Sequence, residues 1–277
     1  MADKRPIIKP WEELTISDDY MFKLVMRHKR FCKKLIEKIL NIKIKRIVYL
    51  EDEKSLKFRY AGKGIRLDVY VEGDDTVYDI EMQVRDYGDD ELAYRTRYYQ
   101  SMIDVDALAQ GASYTELKRS FIIFLCPFAM FDSKRHMYTF RNLCIEDTSL
   151  TLNDGTTKIF LCSEGSMDDV SLDIKAFLEY MKGLHSSNDF VNELDALVRE
   201  IKSKEEERVS YMTYEMKIRE AYDDGKAEGR EEGKLQATIK IITNMLIKKR
   251  PYADIAETTE VTVEEVERIA KEKGLSY

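Results

Sequence analysis

Cysteine is scarce in this chain and never clustered. Cys32, Cys126, Cys144 and Cys162 are widely spaced and form no Cys-x-x-Cys pair. That excludes a zinc-ribbon pattern and a disulfide framework, and leaves reduced, buried thiols as the expectation. Histidine is scarcer still: His28, His136 and His185 stand apart, without metal-ligand spacing. Long apolar runs are missing. The longest, from Phe121 to Phe131, is interrupted by Pro127 and is far short of the roughly 20 residues that a membrane-spanning helix needs. The first residues, Met-Ala-Asp-Lys-Arg-Pro, contain no apolar signal core. The expectation is a cytoplasmic protein with no membrane partner.

Charge is plentiful. Charged residues make up 35% of the 277 and hydrophobic ones 44%, which suits a globular core carrying long exposed helices. The net charge of −7 argues against non-specific nucleic-acid binding, but its distribution is uneven. From Tyr20 to Leu50 there are ten Lys or Arg and one acid, Glu37, a local charge of +9. A phosphate-binding face needs such an asymmetry, and Lys33, Lys34 and Lys38 are its candidate DNA contacts. The competing reading is a helix exterior balanced by acidic neighbours in the fold. Glu37 is either an additional acid near a site or an i,i+4 partner of Lys33.

The chain is organised around the stretch from Gly64 to Arg85. Ile65, Leu67, Val69 and Val71 alternate with Arg66, Asp68, Tyr70 and Glu72; beyond the turn signal Gly73-Asp74-Asp75, Tyr78, Ile80, Met82 and Val84 alternate with Asp79, Glu81, Gln83 and Arg85. Period-2 alternation predicts a β-hairpin with one apolar and one polar face. A two-residue turn at Asp74-Asp75, or a four-residue loop from Gly73 to Thr76, sets Asp68 directly opposite Glu81. Opposed Cβ atoms lie about 4.5–5.5 Å apart. Two carboxylates that close repel unless a cation lies between them, and Mg²⁺ takes one or two carboxylates plus substrate phosphates. The plain alternative is a solvated acidic face.

These residues resemble a known pattern. Asp68, a turn, and Glu81-Met82-Gln83 are similar to the core of the PD-(D/E)XK nucleases, with Gln83 where most members have Lys. Arg66-Leu67-Asp68 with Ile80-Glu81-Met82-Gln83 resembles the Rpn group of recombination-promoting nucleases and transposases. The likeness extends to Ser17-Asp18-Asp19-Tyr20-Met21-Phe22-Lys23 and to Tyr94-Arg95-x-x-Tyr98-Tyr99, and covers most of the first 185 residues. It implies Mg²⁺ (or Mn²⁺) held by Asp68, Glu81 and the Met82 carbonyl, with Gln83 orienting a water. Arg95 would contact a phosphate, and Tyr99 would position a water or base. The implied activity is a metal-dependent DNA endonuclease that hydrolyses phosphodiester bonds, linked to recombination or to mobile-element or defence activity. The alternative is a catalytically weak or inactive member that binds DNA or protein.

The rest of the chain fits such a core. Ser17 is placed to cap a helix, and helical spacing runs through Met21–Val25 and Phe31–Leu40. Strands are expected at Ile42–Leu50, Phe58–Ala61, Ser120–Cys126, Met137–Ile145 and Lys158–Cys162, and helices at Glu91–Gln110 and Leu172–Met181. The fold class is therefore α/β: a PD-(D/E)XK restriction-endonuclease-like core, a mixed sheet flanked by helices, over residues 1–185. An all-helical extension over 186–277 follows, ending in a small helix-turn-helix opened by the capping box Thr262-Val-Glu-Glu265. Within it Ala221, Gly225, Gly229, Gly233 and Ala237 recur every four residues. Either another helix approaches closely there, making a homodimer through the C-terminal helices, or the segment is a flexible linker.

Overall fold

The computed structural model describes residues 8–49, 55–56, 65–73, 75–131 and 134–277. The chain divides into two compact units, Lys9–Val209 and Ser210–Tyr277.

The first unit begins with α1 (Asp19–Met26) and α2 (Lys29–Leu40), separated at Arg27–His28. Asp18, not Ser17, occupies the position before α1: its carboxylate accepts the Thr15 N–H at 2.7 Å, whereas the Ser17 hydroxyl donates to the Met181 carbonyl. The strands β1 (Ile47–Tyr49), β2 (Ser55–Leu56), β3 (Ile65–Arg66), β4 (Val69–Gly73) and β5 (Thr76–Met82) follow. The strand expected at Phe58–Ala61 lies outside the described residues. Next come α3 (Asp89–Ala107), β6 (Arg119–Cys126), β7 (Met137–Phe140), β8 (Thr156–Cys162), α4 (Leu172–Met181) and α5 (Asp189–Lys202).

Six strands form one sheet in the order β1-β4-β5-β6-β8-β7. The pairs β5–β6 and β6–β8 are parallel; β1–β4, β4–β5 and β7–β8 are antiparallel. This is the mixed α/β sheet that the sequence implies. The central strand β6, Arg-Ser-Phe-Ile-Ile-Phe-Leu-Cys, is apolar almost throughout because both its faces are covered. On one face α3 contributes Leu92, Tyr99, Met102 and Ile103 to a cluster with Ile122, Phe124, Cys126, Phe160 and Cys162. The other face carries buried Ile80, Ile123, Leu125, Ile159 and Leu161. The helices α1, α2, α4 and α5 pack on one another, with Phe31 stacked on Phe190 at 5.1 Å. Because α5 belongs to this group, the first unit extends past residue 185 to Val209.

The hairpin has Gly73 opposite Thr76, the register of a two-residue turn. A side chain at position 73 would put its Cβ 3.0 Å from the Arg46 carbonyl oxygen, so glycine eases the close approach of β1 there.

The second unit contains most of α6 (Glu205–Ile247), α7 (Tyr252–Thr259) and α8 (Val263–Lys273). Ile242, Leu246, Ile255, Val266 and Ile269 form its core. Thr262 caps α8 by accepting the Glu265 N–H at 3.2 Å. The α6 helix runs unbroken through Gly225, Gly229 and Gly233, although each glycine costs about 1 kcal/mol relative to alanine. A Cβ at any of the three would meet nothing within 4 Å.

Among the described residues, no helix is long and apolar enough to cross a membrane.

Candidate active site

The hairpin register carries Asp68 to a position opposite Glu81, since Val69 pairs with Ile80 one step further on. The two residues latch each other. The Asp68 N–H donates to Glu81 Oε1 at 2.9 Å, and the Met82 N–H donates to Asp68 Oδ2 at 3.2 Å. Neither lies on a solvated face: Asp79, Glu81 and Gln83 are 0%, 3% and 5% exposed beneath α3.

Helix α3 supplies a cation from above. Arg95 donates to Gln83 Oε1 at 2.6 Å and to the Tyr99 hydroxyl at 2.8 Å, and its Nη2 lies 3.7 Å from Glu81 Oε2. Its guanidinium sits 5.3 Å from the ring centres of both Phe124 and Tyr99, an aromatic bed that holds it in place. The Gln83 amide nitrogen donates to the Arg85 carbonyl. Helix α1 supplies a second cation. Lys23 Nζ lies 3.0 Å from Asp68 Oδ1 and 3.0 Å from Asp19 Oδ2.

Burial pushes these carboxyls up. Asp68 rises to about 6, first because it is desolvated and then because Asp19 is near, against the opposing pull of Lys23. Glu81 rises well above the usual range through burial, then through Asp79 and Asp68; Asp79 rises through burial first. Tyr99 is pushed up to about 12 by burial and by Glu81, so it remains a phenol at neutral pH and can position neighbours but not accept a proton.

A protein-family description, PD-(D/E)XK nuclease family transposase, matches residues 16–236. The chain belongs to that family. No curated protein and no solved structure matches it.

Nucleases of the PD-(D/E)XK kind generally use divalent metals, and the residues of this family member fit one. Among the described residues, Asp19, Asp68, Asp79 and Glu81 gather beside Lys23 and Arg95, more carboxyls than side-chain cations. Neither oxygen of fully buried Asp79 finds, among the described residues, a donor within hydrogen-bond geometry. The donors are hard oxygens, the set that Mg²⁺ and Mn²⁺ prefer. Among the described residues, no three His, Cys, Asp or Glu side chains already converge as a metal cage.

Asp68, Glu81, Gln83, Arg95 and Tyr99 are thus brought together, with the Met82 main chain tied to Asp68. Lys33, Lys34 and Lys38 are placed otherwise. Lys34 pairs with Glu193, Lys38 with Asp173, and Lys33 with Glu37 at 3.6 Å. Acids of α4 and α5 therefore pair with Lys34 and Lys38. Glu37 also accepts the Ile44 N–H at 2.8 Å, which ends α2 and fixes the chain entering β1.

Three members of the cluster are missed by sequence reasoning. Asp79 shares the face of Glu81 by simple alternation, but alternation alone reads it as solvated. Asp19 and Lys23 fall in the Ser17–Lys23 segment that carries part of the family likeness, with no local sign that it reaches the hairpin.

Contact with Arg95 also decides how position 83 responds to change. Gln83→Lys would set an ammonium against the guanidinium, and Gln83→Leu would remove the acceptor. Both variants are expected to loosen Arg95 and lower thermal stability, by about 1–3 kcal/mol for the lost charge-assisted bond. Thermal denaturation of both against wild type checks this; unchanged midpoints would mean that Gln83 does not anchor Arg95.

Proposed function

We propose that this protein is a metal-dependent DNA endonuclease acting in recombination, mobile-element or defence processes. The observation that carries the reading is the latched Asp68–Glu81 pair, buried and short of positive charge. Asp68, Glu81 and the Met82 carbonyl would hold Mg²⁺ or Mn²⁺. The ion supplies a water of lowered pKa and stabilises charge on the scissile phosphate. Gln83 and Tyr99 fix Arg95 so that its charge bears on Glu81. Asp68 and Glu81 must both be ionised to ligate, and burial raises both, so metal affinity falls as pH drops.

The test is cleavage of supercoiled and linear DNA, and of RNA, with Mg²⁺, Mn²⁺ or a chelator. DNA cleavage that needs the metal is expected. Metal binding without cleavage of any substrate would favour a silent DNA- or protein-binding member, and RNA-only cleavage would change the substrate class.

Two further parts of the reading concern partners. Lys33, Lys34 and Lys38 can reach phosphate only by leaving their carboxylates. Replacing all three by Gln is therefore expected to lower thermal stability and leave the salt slope of DNA binding nearly unchanged, although each true phosphate contact contributes about 0.9 to it. A fall of two or more in the slope would place the three lysines on DNA. The exposed glycine face of α6 suits close helix pairing in a homodimer, which sedimentation of the full chain and of a chain ending at residue 222 would reveal. A cytoplasmic location accords with these roles.

A further inference from the structure

We propose that Lys23 supplies, from α1, the catalytic-site cation that other PD-(D/E)XK nucleases carry on the strand and that Gln83 cannot provide. The inference rests on the nuclease reading above. It begins with an anomaly in α1: Met21, Phe22, Leu24, Val25 and Met26 are all buried, and Lys23 among them is only 8% exposed. A buried ammonium is tolerated only when it is paired, and an apolar residue there would pack at no such cost. Lys23 pairs with Asp19 and with Asp68, both members of the carboxyl cluster.

Position 83 explains why the cation comes from elsewhere. Gln83 accepts from Arg95 at 2.6 Å, so an ammonium at 83 would meet a guanidinium head-on. Arg95 does not fill the role itself, because it is pinned between Gln83, Tyr99 and the Phe124 ring on the closed side of the cluster. Side-chain exposure rises from 5% at Glu81 to 13% at Asp68 and 32% at Asp19. A phosphate therefore approaches from the Asp19–Asp68 side, where Lys23 is the nearer cation. Lys23 lies beside a carboxylate that would ligate the ion, so its charge opposes metal binding while it stabilises negative charge gathering on the phosphate.

Those two effects have opposite signs, and this separates a catalytic cation from a structural one. The experiment measures Mn²⁺ affinity by calorimetry, and DNA cleavage, for wild type, Lys23→Gln and Lys23→Arg, with circular dichroism and thermal denaturation as folding checks. In Lys23→Gln, kcat is expected to fall about 10²-fold, the scale of losing one fixed electrostatic donor, with KM for DNA little changed. Its Mn²⁺ Kd is expected to tighten roughly three- to tenfold, because a like charge has left. Lys23→Arg keeps the charge and is expected to retain Mn²⁺ affinity and most turnover, so it tests the proposal even if Lys23→Gln folds poorly. Wild-type turnover in Lys23→Gln, or turnover and Mn²⁺ affinity that weaken together, would overturn the inference and leave Lys23 as a structural tie. Loss of turnover in Lys23→Arg equal to that in Lys23→Gln would overturn it too. A wild-type protein that binds Mn²⁺ and cleaves nothing would instead overturn the nuclease reading, and this inference with it.

Discussion

Glu81→Gln is expected to abolish metal-dependent cleavage and at the same time make the protein more stable. Activity should fall by about 10³-fold or more, since a ligated metal contributes several kcal/mol to the transition state and each 1.4 kcal/mol is tenfold. Stability should rise for a separate reason. Glu81 is buried beside Asp79 and Asp68, and these carboxyls bind protons more tightly in the folded chain than in the unfolded one. Their contribution is fully present below the ordinary carboxylate range, about pH 4, and is lost as pH rises through the raised folded values. For Asp68 the loss is centred near pH 6. At neutral pH the cluster is therefore strained by its own charge. A neutral glutamine still accepts the Asp68 N–H and removes part of that strain. For a unit of this size the midpoint should move by about 2–4 °C per kcal/mol. Mg²⁺ at 100 times its Kd should add about 2.7 kcal/mol to wild type and little to the variant. Denaturation at pH 5 and pH 7.5, with and without Mg²⁺, checks all of this. A less stable Glu81→Gln would sink the strained-cluster account, and undiminished cleavage would sink the site.

Phe124→Ala is expected to have the largest effect on folding. Phe124 is fully buried on β6, stacked on Phe160 at 5.6 Å and tilted against Tyr99 at 6.2 Å. Truncating a buried phenylalanine costs about 3–5 kcal/mol, a large share of the 5–15 kcal/mol that typically holds a domain together. The same ring lies under the Arg95 guanidinium, so the site is tied to the core at this point. Phe124→Leu, which preserves most of the volume, should cost only about 1.5 kcal/mol or less. It should nevertheless reduce cleavage by freeing Arg95. Urea denaturation of both variants and cleavage by the leucine variant separate the two contributions. If the leucine variant cleaves as wild type does, the aromatic bed plays no part in holding Arg95.

Much of the fold is legible in the residues because local rules act strongly there. The apolar run Ser120–Cys126 reads as a central strand, and the structure has one there, Arg119–Cys126. Leu172–Met181 is helical over the expected bounds. Other boundaries shift where caps and neighbours intervene: β1 begins only at Ile47, and α3 ends at Ala107 without reaching Gly111. Phe190, beyond residue 185, stacks on Phe31, and only packing reveals that.

The sequence by itself determined the hairpin and its register. Period-2 alternation and a two-residue turn leave one pairing that keeps the apolar residues together, and that pairing sets Asp68 against Glu81. Tertiary structure alone decided what covers the polar face and what charge reaches it. Alternation separates two faces of a strand, but it carries no information about whether water or a helix lies on either one. Helix α3 seals Asp79, Glu81 and Gln83 from solvent, and α1 brings Asp19 and Lys23 to Asp68. The ion pairs of the basic segment arise for the same reason. Lysines on one face of α2 read as free positive charge until α4 and α5 fold against them, because an ion pair depends on distance in space and not on separation along the chain.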